Sequence, residues 1–182
     1  MLERLNFPFE VIPADIEEQA KPDESGPTLA LRLAEEKAAH VAASHASAIV
    51  IGCDQVAECD GRLLGKPGSV DKALEQLSFT SGKDLYFHSA MAIVQGQKKR
   101  IVNVPTHVRM RHLPKSALLR YINQDQPLDC AGAMRSESMG VALTEFIRSD
   151  DPTALIGLPM IALTTLLLDF GINVLSQGGA DD

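Results

Sequence analysis

The run Ala48-Ile49-Val50-Ile51 stops at Gly52-Cys53-Asp54-Gln55, and that junction constrains the fold more than any other stretch of the chain. A short, unbroken β-branched run belongs to a strand buried on both faces, which must be covered from two sides. Cover is available next to it. From Pro27 to Ser44, Leu29, Leu31, Leu33, Ala34, Ala38 and Val41 recur at helical spacing between Arg32, Glu35, Glu36 and Lys37, which predicts a helix. Asp54 is then expected at the carboxyl end of a buried strand, where α/β sheets gather their ligands.

Further along, Asp60-Gly61 is a tight-turn signal, so Val56-Ala57-Glu58 and Arg62-Leu63-Leu64 read as a small hairpin that presents Gly65-Lys66-Pro67. Residues 69–78 read as a helix capped by Ser69, with Leu74 and Leu77 inward. The stretches 85–94, 100–110 and 140–146 read as strands. Residues 114–123 and 158–170 read as helices, the last stopped by Gly171. No repeat or linker divides the chain, so one domain over residues 1–175 is expected, with a disordered tail at 176–182.

Composition narrows the function. With 45% hydrophobic and 23% charged residues the chain is an ordinary globular one, and it has no apolar segment of membrane-spanning length. Neither a membrane role nor a signal peptide is readable, so a cytoplasmic protein is expected. The three cysteines, Cys53, Cys59 and Cys130, have neither CxxC spacing nor neighbouring histidines, which excludes a zinc site and a disulfide framework. A net charge of -7 and an aromatic content of 4% exclude nucleic acid as a partner.

Several residues could carry chemistry. Glu17-Glu18 and Asp54, if the fold joins them, offer paired carboxylates for a divalent cation and an attacking water, although acidic residues in loops are usually only solvated or capping. Lys37 and Lys66 are the cations that a phosphate chain would need, although a lysine in a turn is usually only solvated. Asp129-Cys130-Ala131-Gly132 with Ser136-Glu137-Ser138 is either a loop of small residues or a base-binding loop. Asp151 and Thr153 read first as caps of the last helix. The five histidines lack the partners of a Ser-His-Asp hydrolase.

Glu18, Arg32-Leu33-Ala34-x-x-Lys37-Ala38, Ile51-Gly52-Cys53-Asp54-Gln55-Val56, Gly65-Lys66-Pro67, Asp129-Cys130-Ala131-Gly132 and Asp151-Pro152-Thr153-Ala154-Leu155-Ile156-Gly157-Leu158-Pro159-Met160 occur in one order across the chain. In that order and spacing they resemble the Maf-like nucleotide pyrophosphatases, from Met1 to about Leu175. The resemblance implies an α/β fold, with an elongated mixed β-sheet flanked by helices around a central cleft. It also implies hydrolysis of a nucleoside triphosphate to its monophosphate and pyrophosphate. In it, Asp54 is the proton acceptor, Glu18 and Asp54 hold a divalent metal (Mg²⁺ or Mn²⁺), and Lys37 and Lys66 contact phosphates.

Gln55 and Glu137 are similar to the specificity positions of the 7-methyl-GTP branch; the dTTP/UTP branch has Thr after the Asp and Gln in place of Glu137. A homodimer is expected on the same ground. Family members begin with a strand and a Ser-x-x-Arg-Arg turn, while Met1-Leu2-Glu3-Arg4-Leu5 matches the helix just after them, so the sheet is expected without that first strand. His88-Ser89 stands where Thr-Gly is expected. A non-catalytic nucleotide-binding or division-associated regulatory protein is the second reading.

Overall fold

The computed structural model of the protein describes residues 1–176, so from residue 177 on the expected tail lies outside the described residues. A 3₁₀ turn, Leu2–Leu5, and a stretch without helix or strand lead into helix α1, Gly26–Ala42. Then follow β1 (Val50–Cys59), β2 (Arg62–Leu64), α2 (Val70–Thr80), β3 (Asp84–Gln95), β4 (Lys98–Met110), α3 (Lys115–Asp125), β5 (Thr144–Ser149) and α4 (Met160–Asp169). Among the described residues no strand precedes Val50.

The α/β class stands as expected, but the sheet is not mixed. Its five strands lie in the order β2-β1-β3-β4-β5, and every neighbouring pair is antiparallel. Two hairpins, β1–β2 and β3–β4, and two helix-containing connections build it; the one through α2 carries the chain from β2 past β1 to β3.

The turn Asp60-Gly61 joins β1 to β2 with φ of 48° and 74°, the positive pair that suits a two-residue hairpin. Ser69 caps α2, its hydroxyl accepting from the Lys72 N–H at 3.4 Å. One predicted strand is wrong in its first half. Met139–Leu143 is a 3₁₀ turn and β5 begins only at Thr144. The Gly140 N–H donates to the Arg135 carbonyl at 2.9 Å, and this local closure replaces a ladder bond.

Alternation along β1 and β3 sorts the core into two faces. Val56, Ala90, Ala92 and Val94 pack under α1 against Leu29, Ala30, Leu33, Ala34 and Ala38. On the other face, Ala57, Leu85, Phe87 and Val108 pack with α2 and α3 at one end of the sheet. Met91 and Ile93 pack with α4 at the other.

Strand β1 does not end at Gly52. It pairs with β3 without a break from Val50 to Glu58, which puts Asp54 in mid-strand, opposite Ala90. The glycine is there because α1 crosses at that point: a Cβ on Gly52 would lie 2.4 Å from the Ala34 carbonyl oxygen and 2.6 Å from the Ala38 nitrogen. Both obstacles are backbone and cannot move aside. We expect Gly52→Ala to cost about 2–3 kcal/mol by overpacking. Urea denaturation checks this, and an unchanged midpoint would refute the close approach of α1 to β1.

Candidate active site

Two residues beyond Gly52, on the same face of β1, lies Asp54. One turn beyond Ala34 on α1 lies Lys37. The Lys37 Nζ donates to Asp54 Oδ1 at 2.7 Å and meets Glu18 Oε1 at 2.5 Å, so one ammonium bridges two carboxylates from separate parts of the chain. The segment carrying Glu18 is fastened by Arg32 of α1, which donates to the Gln19 carbonyl at 3.0 Å and to both oxygens of Glu24 at 2.7 and 2.8 Å. The Arg32 guanidinium holds the Glu24 carboxyl down at about 2.

Burial pushes the Asp54 carboxyl above its ordinary range, and the hydrogen bond from Lys37 pulls only part of the way back. Burial alone would lower Lys37, but the hydrogen bonds to Asp54 and Glu18 overcome it and hold the ammonium above an ordinary lysine. The Cys53 thiol, on the opposite face, is pushed by burial to about 12 and stays protonated.

Around this bridge lies a cleft of about 480 Å³, within the usual size range of a small-molecule site. Glu18, Lys37, Asp54, Gln55, Lys66 and Glu137 all line it. None of the five histidines does. Asp54 and Gln55 are consecutive and so point to opposite faces of β1. They share a cleft because β2 pairs with β1 only from Ala57 to Cys59, which leaves the Asp54–Gln55 edge without a strand neighbour among the described residues. The position of Asp54 is therefore a strand edge rather than a strand end.

Gln55 is held in one orientation. Its Nε2 donates to Ser89 Oγ at 2.9 Å and to the carbonyls of Ala154 and Leu155 at 3.0 and 3.1 Å. Carbonyl oxygens cannot donate, so the amide nitrogen must face them and only Oε1, an acceptor, is left for a ligand.

The turn supplying those carbonyls, Ala154–Ile156, is tied to α4 by Asp151 and Thr153. Asp151 Oδ2 accepts from the N–H groups of Ile161 and Ala162 at 2.7 and 3.2 Å, and Thr153 Oγ1 accepts from Met160 at 2.7 Å. The capping reading of both residues holds, and the caps shape the cleft wall. Across the cleft, the loop from Asp129 to Glu137 is pinned by Tyr121, whose hydroxyl accepts from the Arg135 N–H at 2.9 Å. Arg135 in turn reaches the Asp125 carbonyl at 2.7 Å and Asp129 Oδ1 at 2.8 Å.

Comparison with known proteins decides the family. The family model described as Maf-like protein matches residues 1–170. The chain belongs to the Maf-like family. Curated relatives similar to it include 7-methyl-GTP pyrophosphatases of Bordetella pertussis (47% identical, covering 97% of this chain and 88% of the relative), Aromatoleum aromaticum (45%; 94% and 90%) and Xanthomonas axonopodis pv. citri (45%; 96% and 92%). Among the described residues of this Maf-like chain no helix is long and apolar enough to cross a membrane.

Sequence reasoning marked Ser89 only as a departure from the family pattern and gave it no role; it is fully buried and holds Gln55. Its signal was a lone hydroxyl at the head of the apolar run Ala90-Met91-Ala92-Ile93-Val94. The same reasoning missed Glu58, whose Oε2 accepts from the Gly26 N–H at 2.9 Å and anchors the start of α1 to β1.

The balance at Asp54 is measurable. In a carboxyl-carbon NMR titration, Asp54 should titrate above an ordinary aspartate, and Lys37→Met should raise it further by removing the cation that favours the charged form. An Asp54 that titrates at or below the ordinary range would overturn this description.

Proposed function

We propose that this protein hydrolyses 7-methyl-GTP to 7-methyl-GMP and pyrophosphate, removing a modified nucleotide. One observation carries the reading: a carboxylate pair, two lysines and two acceptor groups suited to a base line a single cleft in a chain of the Maf-like family. The names of the similar curated proteins support the substrate.

Asp54 takes the proton of a water that attacks the α-phosphorus. The bond from that phosphorus to its bridging oxygen breaks, and pyrophosphate leaves. Burial raises the affinity of Asp54 for a proton, which favours its role as acceptor, and the hydrogen bond from Lys37 limits that rise. An ammonium has three donors; Asp54 and Glu18 occupy two of Lys37's, and the third is left for a phosphate oxygen. Lys66, which has no ion-pair partner among the described residues, supplies the second cation.

Glu18 and Asp54 fit a divalent cation, Mg²⁺ or Mn²⁺. They are hard oxygen donors, and no group of three or more His, Cys, Asp or Glu able to hold a metal occurs among the described residues, so an ion held there would take its remaining ligands from substrate phosphates and water. When bound, such an ion neutralises phosphate charge and acidifies water.

Base choice follows from the acceptors. Gln55 offers only Oε1 and Glu137 a carboxylate, a pair suited to a base that is rich in donors and positively charged. Guanine methylated at N7 is both.

Pyrophosphate release from 7-methyl-GTP, GTP and dTTP with Mg²⁺ tests the reading. The protein should prefer 7-methyl-GTP, Asp54→Asn should lose at least about a hundredfold in kcat with its fold intact, and Glu137→Gln should narrow the preference. Tight binding without turnover, or full activity in Asp54→Asn, would refute it.

A further inference from the structure

Ser89 lies on β3 directly opposite Gln55 on β1, fully buried and on the face that also receives the Ala154–Ile156 turn. Its hydroxyl donates to the Ala154 carbonyl at 2.7 Å and accepts from Gln55 Nε2 at 2.9 Å. A serine hydroxyl has one proton, so the direction is settled: a carbonyl can only accept, the serine must donate to it, and the Gln55 amide must donate to the serine. The result is a closed triangle of Gln55, Ser89 and Ala154, because the same amide also reaches the Ala154 carbonyl at 3.0 Å.

We propose that Ser89 is a positioning residue for base selection: it ties the Ala154–Ile156 turn to β3 and fixes the Gln55 amide so that the cleft is offered an acceptor. This rests on the reading of Gln55 as a residue that contacts the base. Ser89 touches neither the cleft nor the phosphate-binding lysines, so it acts only through Gln55 and the turn. Without it, the carbonyls of Ala154 and Leu155 could still take the two amide hydrogens. The turn that carries them would then lose its anchor on the sheet, and the amide would be free to rotate its nitrogen toward the ligand. That rotation replaces an acceptor by a donor facing the base, which costs a donor-rich base its partner and leaves the phosphate chemistry untouched.

The test is a double-mutant cycle read by steady-state pyrophosphate release. Ser89→Ala only removes an oxygen from a filled site, and Ser89→Gly serves if it fails to fold. Ser89→Ala should raise KM for 7-methyl-GTP by about three- to tenfold, the scale of one hydrogen bond, with kcat within about twofold and a smaller change for dTTP. In a Gln55→Ala background the same substitution should have a much smaller effect, the remainder coming from the turn alone. A parallel fall in kcat for all nucleotides, or a KM effect of the same size without Gln55, would overturn the proposal. If the wild-type protein prefers another triphosphate, the functional reading falls, while the cycle run with that nucleotide still judges Ser89.

Discussion

Helix α1 lies on strand β1 at Gly52, backbone against backbone, and the candidate site hangs on that contact. The alanines of α1 that face the sheet, Ala30, Ala34 and Ala38, are fully buried. With no side chain of any length between helix and strand, the next positions on the two elements, Lys37 and Asp54, come within 2.7 Å. A larger residue at 52 would lift the helix and with it Lys37, the side chain that bridges Asp54 to Glu18 among the described residues. The same contact buries Asp54 enough to raise its proton affinity, and Lys37 limits the rise. Helix packing and acid-base tuning are two consequences of one missing Cβ.

The second constraint is the open edge of β1. On an interior strand, neighbours on both sides would confine Asp54 and Gln55 to separate faces. Here β2 pairs only beyond Val56, so a carboxylate turned toward Lys37 and an amide turned toward the Ala154–Ile156 turn reach the same cleft. Three of the segments that meet them there are held by hydrogen bonds from outside the cleft: Arg32 for the segment of Glu18, Asp151 and Thr153 for the turn, Tyr121 and Arg135 for the loop of Glu137. Such support lowers the cost of arranging charges around a polyphosphate at the moment of reaction.

Most helices were legible because their apolar spacing is strong, and the hairpin because Asp60-Gly61 permits its positive φ pair. The reading of Asp54 as a strand terminus failed for a physical reason. Gly52-Cys53-Asp54-Gln55 looks like a loop when polar residues are assumed to leave a strand, yet a strand that borders a cleft carries polar residues without leaving its ladder. Residues 140–143 misled in the opposite sense, with Val141 and Leu143 alternating like a strand while Gly140 closes a turn onto Arg135. The six site residues could be named from ordered motifs, but that they meet in one cleft depends on the sheet register, and the sheet register is not written in any one motif. Ser89 stood out as a departure from the family pattern, but its role was invisible because that role exists only across the β1–β3 ladder.

With Asp54 as the proton acceptor proposed above, water attacks the α-phosphorus, and hydrolysis of 7-methyl-GTP in ¹⁸O-enriched water reports that atom directly. Mass spectrometry of the products should find one ¹⁸O in the nucleoside monophosphate and none in the pyrophosphate. Label in the pyrophosphate would mean attack at the β-phosphorus, and would contradict the placement of Asp54, Lys37 and Lys66 around the substrate.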